Sequence, residues 1–171
     1  NSTLNSYLEK LLYLMTGHFG RAGTHWVHSW LVPLWGNTPG ARHFATQAEV
    51  IGGLLSPNVF PEAVLADRPG RLRALWVASS NPVNTAADTA RVLQALRALE
   101  LVVVVDVAFT ETAAQAHYVL PASSTYEKCE FTLFNFEVPT NYFHVRAPVL
   151  PPLPGTLAEP QIYGKLARAM G

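Results

Sequence analysis

The chain has 171 residues, 12 basic and 12 acidic side chains and therefore zero formal net charge. This length suits one domain with its own core, and a neutral chain is a poor candidate for binding nucleic acid. Only 14% of the residues are charged, below the ~25% of ordinary soluble domains, which indicates that other protein covers part of the surface. No apolar run approaches the ~20 residues of a membrane span, and no signal peptide is visible.

The single cysteine, Cys129, excludes an internal disulfide. It favours a reducing compartment, so we expect a cytoplasmic protein and a small, buried cysteine side chain. Because the chain begins at Asn1 rather than at Met, we expect it to be a piece of a longer protein.

The first 70 residues predict an N-terminal helix followed by an ordered loop. The helix begins near Thr3, carries apolar residues at helical spacing and ends at Gly17. Residues 18–45 lack periodicity but contain several large aromatic side chains, which favours an ordered loop over a solvated one. Short helices are predicted over 46–55 and 61–67.

From residue 72 onward the pattern is strand, helix, strand. Leu72–Ala78 is a strand candidate, and a helix over about 86–99 is predicted with Thr85 as its cap and Asp88 three residues later. The uniformly apolar run Leu101–Val105 suits a parallel strand covered on both faces. Two strands joined by a helix form a right-handed crossover unit.

A short helix near 111–116, a strand at 118–120 and a last helix from about Pro160 to Gly171 extend this unit. The fold class predicted is α/β, in three layers, with a Rossmann-like parallel sheet flanked by helices. Residues 1–70 would pack on the Rossmann-like domain formed by residues 71–171.

Polar residues stand at two of the predicted strand ends. Ser79-Ser80-Asn81-Pro82 follows the first strand, and Asp106 ends the second. Ligands of open parallel sheets bind at this edge, where an acid can accept hydrogen bonds from ribose hydroxyls or a base. The alternative, that Asp106 only caps the turn before Phe109, stays open. Because G-x-G-x-x-G and the phosphate-binding loop are both absent from the sequence, a nucleotide site would be of another kind.

Short motifs follow one another from Leu75 to Gly171. They are Asn81-Pro82, the strand ending in Asp106, Thr110–Ala113, Val119–Ala122, Glu127-Lys128, Asn135-x-Glu137 and a final Glu-Pro-x-Ile helix ending in Met-Gly. In this order they resemble the third domain of the molybdopterin oxidoreductases, which include formate dehydrogenases and nitrate reductases with bis-molybdopterin guanine dinucleotide cofactors. Leu14–Gly17 and Gly20-Arg21-x-Gly23 are similar to the family's segment that leads into this domain.

The resemblance implies that the domain holds the guanosine end of a molybdopterin guanine dinucleotide, with molybdenum or tungsten in the intact protein. It places Asn81 and Asp106 at the nucleotide and the backbone of Val105 beside Asp106. It also places Lys128 at a phosphate or polar edge of the cofactor and Glu159 near the guanine.

The resemblance also implies partners and missing parts. Expected partners are the remaining domains of the same chain, an electron-transfer subunit and a small-molecule substrate, with formate-type chemistry favoured. An iron–sulfur cluster and the metal ligand would lie elsewhere in the protein, so this part alone should be inactive. The alternative is a non-catalytic scaffold domain related to the large iron–sulfur subunit of respiratory complex I; Asn81 and Lys128 favour the enzyme.

Some residues depart from the family pattern or suggest other sites. His117 stands where many members have Asp, and Cys129-Glu130 interrupts a Glu-x-x-Gly-Thr pattern, which indicates a subgroup with a reshaped loop. The loosely spaced histidines and tryptophans before residue 36 are expected to serve packing rather than a metal or stacking site: His18, His25, His28, Trp26, Trp30 and Trp35.

Overall fold

The protein is described by a computed structural model over residues 2–24, 40–50, 54–132 and 143–171. It divides into two compact units. One comprises Asn1–Leu34 and Phe131–Arg146, and the other comprises Trp35–Glu130 and Ala147–Gly171. All the residues predicted to contact a cofactor belong to the second unit, which is therefore the part of the chain that positions the candidate site.

Three parallel strands form the sheet of the second unit. They are β1 (Ala74–Ala78), β2 (Leu101–Asp106) and β3 (Tyr118–Pro121), in the order β1-β2-β3. The middle strand is buried over residues 102–105, which explains why its sequence is uniformly apolar. The register pairs Ala78 with Val105, and Asp106 with Pro121, so the three strands end at one edge. The predicted parallel sheet is confirmed.

Helices cover both faces of this sheet. Helix α1 (Ser2–Met15) belongs to the first unit, and the helices of the second unit are α2 (Phe60–Leu65), α3 (Pro82–Thr85), α4 (Thr89–Ala98) and α5 (Glu159–Met170). On one face α2, α3 and α4 pack on β1 and β2 through a buried apolar cluster that includes Val64, Val83, Val92, Leu96, Val77, Val102 and Val104. Each fully buried side chain of this size contributes roughly 1.5–3 kcal/mol. On the other face Ile162 of α5 packs with Val105 and Ala122. The three-layer α/β fold class is therefore confirmed.

The start of α4 differs from the prediction, because Thr85 is not its cap. The Asp88 Oδ1 atom accepts a hydrogen bond of 2.9 Å from the backbone N–H of Arg91 and caps α4. Thr85 ends the separate short helix α3, which begins at Pro82, and its hydroxyl donates to the carbonyl of Asn81 at 3.0 Å. A proline in the first turn favours this separate start.

The helix predicted over 46–55 is wrong in the part of that range that the structure describes. A turn follows the buried His43, and an antiparallel bridge joins Arg42 to Glu49. The Nδ1 atom of His43 lies 3.3 Å from the hydroxyl of Thr46. Local side-chain bonds of this kind compete with helical hydrogen bonds.

The remaining elements are 3₁₀ turns at Pro57–Val59, Ala113–Gln115 and Thr125–Glu127, and the two-residue strands β4 (Glu130–Phe131) and β5 (Val145–Arg146), which pair with each other. The turn at Ala113–Gln115 replaces the helix predicted near 111–116. Helix α1 confirms the N-terminal helix, and Gly17 follows it with a left-handed φ of 71°. Helix α2 confirms the helix predicted near 61–67. Within the described ranges, every helix is too short or too polar to cross a membrane.

His117, one of the two departures seen in the sequence, joins the start of β3 to β2. Its backbone N–H donates to the carbonyl of Val102 at 2.9 Å, and its Nδ1 accepts from the backbone N–H of Val102, also at 2.9 Å. A ring nitrogen that accepts carries no proton, so the ring proton of the neutral histidine is on Nε2. An aspartate at this position could accept the same hydrogen bond through a carboxylate oxygen. The change to histidine therefore preserves an acceptor for the buried N–H of Val102.

Candidate functional site

Strand β1 ends in a strained turn at the carboxyl edge of the sheet. Ser79 has a φ of 52°, in the left-handed region that costs a non-glycine residue roughly 1–2 kcal/mol. Its backbone N–H donates to the carbonyl of Val105 at 2.9 Å, so the turn is tied to the neighbouring strand. Strained backbone of this kind is concentrated at functional sites.

Asn81 connects this turn to the loop that follows β2. Its Oδ1 accepts from the hydroxyl of Thr112 at 2.7 Å and from the backbone N–H of Thr112 at 3.3 Å. Its Nδ2 donates to Oε2 of Glu111 at 2.6 Å. This bond from Asn81 is the main reason that the pKa of Glu111 lies below its usual value, so Glu111 is ionised at neutral pH. The amide of Asn81 therefore has a fixed donor side and a fixed acceptor side.

Asp106 ends β2 and is half-buried. Its Oδ1 accepts from the backbone N–H of Ala108 at 3.1 Å, so the turn-capping contact considered for this residue is present. The carbonyl of Asp106 accepts from the backbone N–H of Ala122 at 2.9 Å, while the carbonyl of the buried Val105 accepts from Ser79. A carboxylate has about four acceptor positions, so the cap leaves Asp106 with the capacity to bind a ligand.

Lys128 and Glu159 form an ion pair across 31 residues of sequence. The Nζ atom lies 2.7 Å from each carboxylate oxygen, and the two side chains are only 15% and 23% exposed. Glu130 lies 3.8 Å from the same ammonium group. Burial is the largest single influence on Glu159 and opposes its ionisation. The hydrogen bonds and charge of Lys128, together with a backbone hydrogen bond, outweigh burial, so the pKa of Glu159 lies below its usual value. The structure thus brings together two residues that the family resemblance assigned separately to the cofactor.

The start of α5 lies beside the end of β3. A parallel bridge joins Ala122, just after β3, to Leu157, two residues before Glu159. The N–H of Ala122 also donates to Asp106. The Lys128–Glu159 pair is therefore linked through the backbone to the same edge of the sheet as Asp106.

Glu127 is a buried carboxylate that the sequence prediction named only as part of a motif. Its Oε2 accepts from the backbone N–H of Ser124 at 2.7 Å, and its Oε1 accepts from the backbone N–H of Leu153 at 2.9 Å. The backbone N–H of Ser124 is the main reason that the pKa of Glu127 lies below its usual value. Glu127 thereby ties the loop after β3 to the proline-rich segment 148–154 and positions the adjacent Lys128. The capping-box pattern, serine followed three residues later by glutamate, was the available signal.

A cleft of about 540 Å³ lies along β1 and the helices beside it. Its lining includes Leu75, Trp76, Ala78, Phe60, Ser80 and Pro82. Asn81 and Asp106 do not line it. The cleft is therefore a feature separate from the side chains predicted for the nucleotide.

The other side chains considered in the sequence add little to the site. Cys129 is exposed, so the prediction of a buried cysteine is wrong. Glu127, two residues earlier, is buried instead. Among the described residues, there is no group of three or more His, Cys, Asp and Glu side chains that could hold a metal ion. Several residues lie outside the described ranges: His25, His28, Trp26, Trp30, Trp35, Asn135 and Glu137.

Comparison with known protein families and curated proteins adds independent information. Residues 7–153 match the family described as molybdopterin oxidoreductase. The chain is 32% identical over 109 residues to the probable oxidoreductase YoaE of Bacillus subtilis, which covers 63% of this chain and 16% of that protein. It is 31% identical over 140 residues to the F420-dependent formate dehydrogenase subunit alpha of Methanocaldococcus jannaschii, which covers 68% of this chain and 20% of that subunit.

A solved structure shows the same fold. Acetylene hydratase from Pelobacter acetylenicus superposes with a TM-score of 0.59 and 26% sequence identity, over 67% of this chain and 16% of that one. The chain thus spans no more than 20% of the length of these proteins.

Proposed function

The chain belongs to the molybdopterin oxidoreductase family, and we propose that its parallel sheet holds the guanosine end of a molybdopterin guanine dinucleotide. Membership implies a molybdopterin cofactor with molybdenum or tungsten in the intact protein. The observation that carries the proposal is that Asn81 follows β1 and Asp106 ends β2 at the carboxyl edge of two adjacent parallel strands, where the strained turn at Ser79 also lies.

The polar groups at this edge fit a nucleotide. Asp106 supplies acceptors for ribose hydroxyls or for N–H groups of guanine, and Asn81 supplies an N–H donor. Lys128 supplies a cation for a phosphate, and its ion pair with Glu159 keeps a carboxylate within 2.7 Å of it. When bound, molybdopterin supplies the redox-active metal. The residues of this chain bind and orient the nucleotide end.

The activity of the whole protein is a further part of the proposal. We propose a formate dehydrogenase-like oxidoreductase, since two of its relatives are formate dehydrogenase subunits. The metal ligand and an iron–sulfur cluster would lie outside these 171 residues. An electron-transfer subunit, a small-molecule substrate and a cytoplasmic location complete the proposed setting. The 171-residue chain by itself would bind nucleotide but would not catalyse the reaction.

Asp106→Ala in the intact enzyme tests the nucleotide site. It removes a charge-assisted contact that contributes about 1.5–3 kcal/mol, so the guanine content of each folded molecule should fall. The melting temperature should change little, because the capped turn is exposed at the sheet edge. Asp106→Asn, which keeps an acceptor but loses the charge, should give an intermediate guanine content.

Guanine released by acid and the melting temperature are measured on the same samples. Asp67→Ala is the matched control, because Asp67 is an exposed carboxylate on the loop that precedes β1, at the other end of the strand. A lower melting temperature with normal guanine content would show that Asp106 is only a turn cap.

A second function is favoured by one observation. The polar groups of Asn81, Lys128 and Glu159 already bind partners within the chain, as expected of a scaffold that needs no cofactor. The candidate is a non-catalytic domain related to the large iron–sulfur subunit of respiratory complex I. Analysis of the intact protein for metal and guanine separates the two. Molybdenum or tungsten together with guanine supports the enzyme, and the absence of both supports the scaffold.

A further inference from the structure

We propose that Thr112 is a positioning residue that fixes the amide of Asn81 so that only its nitrogen can meet a ligand. This inference rests on the proposed nucleotide site, because it concerns how one of the residues of that site is presented. Thr112 lies in the loop after β2 and would decide which kind of ligand atom Asn81 can bind.

The amide orientation follows from the donors around it. A backbone N–H can only donate, so the Asn81 atom that lies 3.3 Å from the N–H of Thr112 must be the oxygen. The hydroxyl of Thr112 lies 2.7 Å from the same oxygen. The backbone N–H of Val83 donates to this hydroxyl oxygen at 3.2 Å, which leaves the hydroxyl hydrogen for Asn81. Thr112 is fully buried, so water does not compete for these bonds.

The consequence is a restriction on the ligand. Two bonds from Thr112 occupy both lone pairs of the Asn81 carbonyl oxygen, and one N–H of the amide donates to Glu111 at 2.6 Å. Asn81 therefore has one further N–H to offer and no acceptor. The ligand atom opposite it must be an acceptor, such as a phosphate oxygen, a ribose oxygen or the carbonyl of guanine. Without the Thr112 hydroxyl, the carbonyl oxygen keeps only the longer, 3.3 Å bond from the backbone N–H of Thr112, so the amide is held less firmly and its free N–H is presented less well to such an atom.

The test measures the binding of GDP to the 171-residue chain by isothermal titration calorimetry. Thr112→Val has nearly the same shape but lacks the hydroxyl, and it should weaken GDP binding about tenfold. Thr112→Ser keeps the hydroxyl and should bind within about twofold of the wild type. Unfolding curves are recorded for each variant, so that affinity is expressed per folded molecule.

A double-mutant cycle shows whether Thr112 acts through Asn81. Asn81→Ala should weaken GDP binding by a similar factor, and adding Thr112→Val to Asn81→Ala should weaken it no further, since the group being positioned is gone. If the valine variant does not fold, Thr112→Ala replaces it in the cycle. Independent, multiplicative losses in the double mutant would overturn the inference, and so would an unchanged affinity of the folded Thr112→Val chain.

Failure of the inference can be told apart from failure of the nucleotide site. If Asn81→Ala and Asp106→Ala weaken GDP binding but Thr112→Val does not, only the positioning role is overturned. If neither Asn81→Ala nor Asp106→Ala changes the affinity, or if the wild-type chain binds no GDP, both the nucleotide site and the role of Thr112 are overturned.

Discussion

Replacing Lys128 with methionine tests whether its pair with Glu159 stabilises the folded chain. Methionine keeps the apolar stem of the side chain as far as the ε-carbon but lacks the charged ammonium group. An exposed ion pair contributes about 0.2–1 kcal/mol, and the loss of one partner of a fully buried pair costs about 3–5 kcal/mol. The two side chains are 15% and 23% exposed and meet at 2.7 Å. We therefore expect Lys128→Met to lower the free energy of unfolding by about 1–3 kcal/mol.

The size of this loss should depend on pH, because the pKa of Glu159 in the folded chain lies below its usual value. A group with a lowered folded pKa contributes stability that is present above its unfolded pKa, near 4.3 for glutamate. That stability is lost as the pH falls through the folded pKa. The difference between wild type and Lys128→Met should therefore be complete at pH 7 and should shrink below about pH 4.

Urea denaturation followed by far-ultraviolet circular dichroism, at pH 7 and pH 3, measures both effects. Lys165→Met is the matched control, because Lys165 is exposed on α5; its change should stay within about 0.5 kcal/mol. Adding Glu159→Gln to Lys128→Met should restore part of the stability, since it removes the unpaired carboxylate. Equal urea midpoints for wild type and Lys128→Met at pH 7 would refute the reasoning. A deficit that is equally large at pH 3 would show that lost packing, not the lost ion pair, causes it.

Three further substitutions test contacts near the ends of the elements. His117→Leu leaves the buried N–H of Val102 without its acceptor, so the free energy of unfolding, measured by thermal unfolding, should fall by about 1–3 kcal/mol. His117→Asn, which keeps an acceptor, should avoid most of this loss. Equal losses in the two variants would contradict the acceptor role. Asp88→Ala removes the cap from the backbone N–H of Arg91, so the free energy of unfolding measured by urea denaturation should fall by about 1 kcal/mol. Asp88→Ser, which can still cap the helix, should leave it nearly unchanged. Ser79→Gly should leave the stability unchanged or raise it by up to ~1 kcal/mol, because glycine adopts a φ of 52° freely; a clear loss with glycine would show that the serine side chain itself stabilises the turn.

The fold class followed from local signals in the sequence. The apolar run Leu101–Val105 and the Asn81-Pro82 break predicted a parallel strand and a turn, because hydrophobic period and turn chemistry are properties of short segments. Element boundaries were less well predicted. Two residues that can cap a helix, Thr85 and Asp88, stand three positions apart, and the backbone path of the short helix α3 decided that Asp88 caps α4.

By itself the sequence located Asn81 and Asp106 at strand ends, and the resemblance added Lys128 and Glu159 to the same site. The sequence contained no signal that Lys128 and Glu159 form an ion pair, or that Thr112 holds the amide of Asn81. In both contacts the two residues are 31 positions apart in the chain. These contacts were decided by the tertiary structure. The parallel register brings the ends of all three strands to one edge, where the loops that follow them and the start of α5 meet. Such proximity depends on how the crossovers pack, which no local pattern of residues records.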